Sequence, residues 1–150
     1  MKRRTLLKSV PAAAILFSPV VRASVNEGDS DGATEGVFEL RVYHALPGKL
    51  PDLLARFRDH TTKLFERHGL HNVAYWTPVD EPDKSKTLIY ILRHPSREAA
   101  AANWKAFQDD PEWKSVKEKS EANGPLVEKI DSTYMAYTDF SPKITSKKGK

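Results

Sequence analysis

The sequence predicts an α+β domain in which strands and helical segments follow one another in the order β-α-β-β-α-β. Two patterns carry this prediction. Residues 37–43 alternate apolar and polar side chains with the period of two that is typical of a strand. Residues 50–65 instead repeat apolar side chains at the 3.6-residue spacing of an amphipathic helix. The chain of 150 residues has no internal repeat, so we expect one domain with flanking termini.

The first predicted strand presents two different faces. The apolar face, which we expect helices to cover, consists of Phe38, Leu40 and Val42. The other face carries a carboxylate, a guanidinium and a phenol in line, from Glu39, Arg41 and Tyr43. Such side chains are unusual on a strand unless they line an interior space. We therefore expect the polar face to line an interior space.

Capping signals place the next elements. A helix is predicted from Leu50, with Pro51 in the first turn, where a missing N–H group has no intrahelical acceptor to lose. Gly69 is placed for a left-handed cap at the end of this helix. Residues 70–77 form the second predicted strand. Residues 87–93 form the third, and their nearly continuous apolar run is typical of a central strand buried on both faces.

The second helical segment is interrupted once. Ser96 is the predicted N-cap of its first helix, and Asp110 the predicted N-cap of a second helix that has Pro111 in its first position. The segment ends near Gly124. Residues 130–140 alternate again and are predicted as the fourth strand.

This order of elements is the ferredoxin-like pattern with a four-stranded antiparallel sheet. Helices cover one face of such a sheet and leave the other face open. Because a monomer does not leave a large apolar face in water, we expect a homodimer in which two sheets close into an α/β barrel. The interior of that barrel is expected to receive Glu39, Arg41 and Tyr43.

The N-terminus resembles an export signal. Arg3-Arg4 begins a twin-arginine pattern, and a weakly apolar stretch, too short to span a bilayer, follows it. Small residues at Val21 and Ala23 predict cleavage after Ala23. We therefore expect residues 1–23 to be removed and the mature protein to be periplasmic without stable membrane insertion. An ordinary secretory signal is the alternative.

The charge of the chain depends on this segment. Residues 1–23 contain five basic side chains and no acid, so their removal changes the formal net charge from +4 to −1. A domain near neutrality gives no electrostatic reason to expect nucleic acid as a partner. Residues 24–36 are polar, acidic and rich in glycine, which predicts a flexible linker, and residues 141–150 predict a disordered basic tail. The folded domain is expected at residues 37–140.

Several segments resemble the NIPSNAP family, over about residues 37–139. The most specific is the run of residues 104–113, which contains Asp110-Pro111-Glu112-Trp113, and the opening strand at residues 38–43 is the next. The resemblance implies a dimeric α/β barrel, a fold shared with small monooxygenases and haem-handling enzymes. It supplies no settled biochemical activity.

Five residues are candidates for contact with a small organic ligand, namely Glu39, Arg41, Tyr43, Trp76 and Tyr90. In this reading the guanidinium holds an anionic group and a phenol donates a proton. The alternative is structural: Glu39 and Arg41 form an ion pair, and the aromatic rings pack in the core. Trp104 and Trp113 are interpreted as structural residues.

The histidines do not form a metal pattern. His60 and His68 lie eight residues apart, and His44, His71 and His94 lie at strand ends, without a spacing typical of metal ligands. We therefore predict neither a metal site nor a bound cofactor, and no catalytic residue can be assigned.

Three functions remain. The first is a homodimer that binds a small organic molecule in its barrel. The second is a non-catalytic dimeric module that contacts another exported protein, and the third is an enzyme similar to cofactor-free monooxygenases. A lumen with room for a ligand favours the first, and a lumen filled by its own aromatic rings favours the second.

Overall fold

The structure, a computed structural model, describes residues 36–144. It contains four strands, four α-helices, a π-helical turn between α1 and α2 at Phe57–Thr61 and a 3-10 turn at Asp83–Ser85. The strands are β1 Val37–Ala45, β2 His71–Trp76, β3 Thr87–His94 and β4 Val127–Met135. The helices are α1 Leu50–Arg56, α2 Thr62–Arg67, α3 Arg97–Asp109 and α4 Pro111–Ser120.

The strands form one antiparallel sheet in the order β2-β3-β1-β4. The first and third strands of the chain thus lie in the middle, as the ferredoxin-like pattern requires. The predicted α+β fold with a four-stranded antiparallel sheet is confirmed.

The predicted caps are present at the ends of the helices. The Ser96 hydroxyl accepts a hydrogen bond from the N–H group of Ala99, and the Asp110 carboxylate accepts one from the N–H group of Glu112. Gly69 has a φ of +73°, the left-handed conformation expected at the end of the first helical segment. These local signals fix where each helix begins and ends.

The fourth strand differs from its prediction. It begins at Val127 and ends at Met135 rather than covering residues 130–140. The sequence alternation continues beyond Met135, but β1 offers no further partner there, since Met135 pairs with Phe38 at the start of β1. A strand needs a neighbour for its backbone hydrogen bonds, so the end of β1 limits β4.

The two faces of β1 are reversed relative to the prediction. The helices cover the face of Glu39, Arg41 and Tyr43, and the Tyr43 ring lies 5.6 Å from that of Phe57 in the helical segment. The expectation that helices cover the apolar face, and that the polar face enters a barrel between two sheets, is therefore wrong. The interior space bordered by these polar side chains lies between the sheet and its own helices.

The hydrophobic core occupies this same layer. Its buried side chains come from β1, β3 and both helical segments, and they include Tyr43, Leu53, Phe65, Tyr90 and Phe107. Fifteen hydrophobic residues are buried among residues 36–144, and this core holds the domain without disulfides, since the sequence has no cysteine.

Several sequence predictions fall on residues that the structure leaves undescribed. The signal segment at residues 1–23 lies outside the described residues, as do residues 24–35 of the linker and residues 145–150 of the tail. Within residues 36–144, no helix combines the length and hydropathy needed to cross a bilayer.

Candidate functional site

A buried carboxylate organises the polar side of the sheet. Glu39 is 1 % exposed and accepts four side-chain hydrogen bonds. Oε1 accepts from Arg41 Nη1 at 2.7 Å and from Ser132 Oγ at 2.7 Å. Oε2 accepts from Trp104 Nε1 at 2.7 Å and lies 2.9 Å from His94 Nε2. We call these five residues the Glu39 cluster.

The cluster joins four elements. Glu39 and Arg41 lie on β1, His94 ends β3, Trp104 lies on α3 and Ser132 lies on β4. Strand pairing brings Ser132 to the cluster, because Ser132 on β4 lies directly opposite Arg41 on β1 and directly paired residues share a face of the sheet. The helix α3 then places its indole N–H group above the same carboxylate.

These hydrogen bonds keep Glu39 ionised. Burial alone raises the pKa of a carboxyl group, but the bonds from His94, Trp104, Ser132 and Arg41 outweigh it and lower the pKa of Glu39 to about 2. Arg41 remains charged at every relevant pH. The pair is therefore neutral as a whole, and the structural interpretation of Glu39 and Arg41 as an ion pair agrees with the geometry.

Arg41 is held by contacts on several sides. Its guanidinium carbon lies 4.4 Å from the centroid of the Trp104 ring and 5.6 Å from that of Tyr43. Its side chain is 15 % exposed, and its Nε atom is buried without a hydrogen-bond partner among the described residues. The guanidinium is thus fixed in position while part of it still reaches the surface.

That exposed part borders a groove of about 430 Å³ between β1, β4 and the helices α3 and α4. Four aromatic rings, three cationic side chains, one amide and one aliphatic side chain line it. The lining residues are Arg41, Tyr43, Trp104, Phe107, Gln108, Trp113, Lys114, Lys117 and Ile130. We call this space the Arg41 groove.

The structure brings only part of the predicted set to the groove. Arg41 and Tyr43 line it, and Glu39 lies behind Arg41 as its anchor. Tyr90 is fully buried in the core, where burial raises the pKa of its phenol well above the ordinary value. Trp76 is 48 % exposed and pairs with Ile89, which places it on the opposite face of the sheet.

Sequence reasoning missed most of the groove. The structural role predicted for Trp104 and Trp113 agrees with their packing against the core, and both also line the groove. Lys114 and Lys117 carried no local signal, although their spacing of three places both on one face of a helix.

Four of the five histidines bond to separate carboxylates. His44 bonds Asp131 at 2.9 Å, His68 bonds Asp110 at 2.6 Å, His71 bonds Glu66 at 3.0 Å, and His94 bonds Glu39. Within residues 36–144, no group of three or more histidine or acidic side chains is arranged to hold a metal ion.

Comparison with known proteins identifies the domain. Among curated proteins, none matches the sequence. A NIPSNAP-like domain protein from Burkholderia xenovorans superimposes with a TM-score of 0.63 at 16% identity, over 74% of this chain and 92% of that chain. A NIPSNAP family protein of unknown function from Agrobacterium tumefaciens gives a TM-score of 0.61 at 21% identity, over 72% and 93%.

A second NIPSNAP family protein from Agrobacterium tumefaciens gives a TM-score of 0.62 at 19% identity, over 71% of this chain and 90% of that chain. At these identities the likeness shows the fold. The family follows from the sequence itself, because the model of the NIPSNAP family matches residues 38–142, which is more than half of the chain. The chain therefore belongs to the NIPSNAP family.

Proposed function

We propose that this NIPSNAP protein is exported and acts as a homodimer that binds a small organic molecule in the Arg41 groove. One observation carries the binding proposal. A fixed guanidinium, flanked by the rings of Trp104 and Tyr43, opens onto a groove of about 430 Å³. Ligand pockets of roughly 300–1,000 Å³ with mostly apolar walls and a few placed polar groups are typical of small-molecule sites.

The rigidity of Arg41 supports binding. A side chain that is already ordered loses little conformational entropy when a ligand arrives. Here Glu39 holds one end of the guanidinium and Trp104 supports its face. The site therefore meets the requirement that a recognition group be positioned by its surroundings. The proposed location is this groove rather than the lumen of a barrel between two sheets.

Native mass spectrometry of protein isolated from cells tests the proposal. We expect the parent protein to carry a small-molecule adduct, and Ile130→Trp to lose it. Ile130 is 44 % exposed at the rim of the groove, so a larger ring there fills the space without disturbing the core. Val79→Trp is the matched control, because Val79 is 82 % exposed in a loop and does not line the groove.

Two outcomes contradict the binding proposal. If the parent and Ile130→Trp retain the adduct equally, the small molecule binds outside the groove. A parent that carries no adduct, and whose melting temperature no member of a small-molecule library changes, would show that the groove does not bind.

The open face of the sheet supports the homodimer. Apolar side chains of three strands share this face and are only partly buried in the single chain, namely Leu40, Val42, Ile89, Ile91 and Trp76. Contiguous apolar surface of this kind marks an interaction site, and a second copy of the same sheet is the occupant that matches it in shape.

Sedimentation of the mature protein tests the dimer. We expect twice the monomer mass at micromolar concentration and dissociation by Ile91→Lys, which places a charge in the centre of the face. Lys63→Glu, at an exposed position of α2, is the control for a changed charge. A parent monomer that melts cooperatively would contradict this part of the proposal.

Export rests on the sequence of residues 1–23. Replacing Arg3 and Arg4 together by Lys is expected to leave uncleaved precursor in the cytoplasm. The mature N-terminus, read by mass spectrometry, is expected at Ser24. Normal processing of the double variant would exclude the twin-arginine route.

A further inference from the structure

We infer that the ligand of the Arg41 groove is a planar aromatic anion of one or two rings. This inference rests on the proposed function and specifies the chemistry of its ligand. It depends on the charges of the lining residues, on the arrangement of the rings and on the size of the space.

The charges of the groove are of one sign. Its three ionisable cations are Arg41, Lys114 and Lys117, and no carboxylate is among its lining residues. Glu39 neutralises Arg41, and Lys114 interacts electrostatically with Asp109, whereas neither lysine forms a close salt bridge within the described region. The lining of the groove is therefore positively charged overall beside apolar walls, and this charge attracts an anion.

Two other cavities of the described region include acids among their lining residues. One of about 980 Å³ combines Arg58, Lys84 and Lys86 with Glu81 and Glu128. Another of about 450 Å³ has two aspartates, Asp52 and Asp59, among its lining residues. Acids in these two linings offset all or part of the positive charge, whereas the Arg41 groove has no acid among its lining residues.

The rings of the groove suit a flat ligand. Phe107 and Trp113 lie with centroids 4.5 Å apart at 34°, and Trp104 meets Phe107 edge-on at 5.8 Å and 79°. Their faces and edges form a wall against which another ring gains the stacking and edge contacts that aromatic pairs prefer. Ile130 adds an aliphatic surface to the lining.

The space limits the size of the ligand. A volume of about 430 Å³ lies near the lower end of the range of roughly 300–1,000 Å³ found for ligand pockets. It accommodates one or two fused rings with a short anionic substituent. The anionic group reaches Lys114 and Lys117 on α4 while the ring lies against the tryptophans.

Isothermal titration of the mature protein with two probes tests the inference. The probes are 2-naphthoate and its neutral counterpart 2-naphthamide, which have nearly the same shape. We expect naphthoate to bind at least tenfold more tightly than the amide, and its affinity to fall as salt is raised. Lys114→Gln with Lys117→Gln is expected to weaken naphthoate at least tenfold and to leave the amide nearly unchanged.

The control is a double variant with the same loss of charge. Lys63→Gln with Lys119→Gln removes two exposed lysines that do not line the groove, so naphthoate is expected to bind it as it binds the parent. Ile130→Trp is expected to bind neither probe.

The outcomes separate this inference from the proposed function. Equal binding of naphthoate and naphthamide by the parent would overturn the anion while the groove remains a binding site. Loss of naphthoate binding in both lysine double variants would show only a general charge effect and would also overturn the inference. If neither probe binds but native protein retains an adduct that Ile130→Trp loses, the groove binds a ligand of another class and the aromatic anion is wrong.

Discussion

Replacing Glu39 by Gln removes the charge on which the Glu39 cluster depends while it keeps the shape of the side chain. Glu39 is 1 % exposed and accepts four hydrogen bonds, one of them from a guanidinium that has no other carboxylate partner in the described region. The variant leaves the Arg41 charge part-buried without a counter-ion. We therefore expect a large loss of stability at neutral pH.

The pKa of Glu39 gives the magnitude. The ordinary value is 4.5 and the value in the folded protein is about 2. At about 1.36 kcal/mol per pH unit, this difference corresponds to about 3 kcal/mol of folding free energy. Because the folded-state pKa is the lower one, this stabilisation is fully present above pH 4.5 and is lost as the pH falls from 4.5 to 2. This loss of folding free energy agrees with the roughly 3–5 kcal/mol that is typical when a buried ion pair is broken by removing one partner.

Guanidinium chloride unfolding of the parent and of Glu39→Gln, repeated at several pH values, measures this directly. The difference between the two free energies of unfolding should be about 3 kcal/mol or more at pH 7, and it should shrink as the pH falls from 4.5 to 2. One protein concentration is used throughout, because association changes apparent stability.

Glu118→Gln is the control, since Glu118 is exposed on α4 and forms no ion pair in the described region. Its effect is expected within about 0.5 kcal/mol. If Glu39→Gln also stays within that limit, and if the difference from the parent does not depend on pH, then Glu39 is not an anchored buried carboxylate.

Three further changes test the same structure by thermal melting. Arg41→Met should lower the free energy of unfolding by about 2 kcal/mol, less than Glu39→Gln does, because the carboxylate keeps three other donors. The double variant Arg41→Met with Glu39→Gln should be more stable than Glu39→Gln alone. Gly69→Ala should destabilise more than Gly48→Ala: both have φ near +73°, but an added Cβ at Gly69 lies 2.7 Å from a side-chain nitrogen and at Gly48 has nothing within 4 Å. Asp110→Ala should lower the melting temperature at pH 7 by removing the N-cap of α4. The difference in melting temperature from the parent should become smaller in acid.

Each of these three predictions would be contradicted by a particular result. Arg41→Met at least as damaging as Glu39→Gln would mean that the three remaining donors do not stabilise the carboxylate. Equal melting of the two glycine variants would show that the contact near Gly69 relaxes freely. The bond from His68 and the further bonds from Arg67 and the N–H group of Glu112 lower the pKa of Asp110, so an effect of Asp110→Ala that persists undiminished below pH 3 would show that the charge plays no part.

The fold was predictable because its signals are local. The alternation of residues 37–43, the caps at Ser96 and Asp110 and the glycine at Gly69 each act within a few residues of themselves. Together with the connection pattern they determine a ferredoxin-like sheet. The end of β4 was not predictable in this way, since the length of its partner β1 decides it.

The site was only partly predictable, because its contacts are distant in sequence. The partners of Glu39 on β3, α3 and β4 lie 55, 65 and 93 residues away. A carboxylate alternating with apolar residues favours a solvent-facing or lumen-facing side chain, and nothing near Glu39 indicates four donors. The chemistry of Arg41 and Tyr43 makes them candidates from the sequence alone. Lys114 and Lys117 reach the groove only because α4, on which they lie, packs beside Arg41 and Tyr43.

The position of β1 inside the sheet has a consequence for synthesis. The ribosome makes β1 before the other strands of residues 36–144, yet β1 needs β3 on one side and β4 on the other. Ser132 emerges 93 residues after Glu39, so the carboxylate remains hydrated and one edge of β1 remains unpaired until nearly the whole domain has been translated. A nascent chain that stops before residue 127 offers that edge to chaperones or to a neighbouring copy. Of these four strands, the one that is translated first is thus completed last.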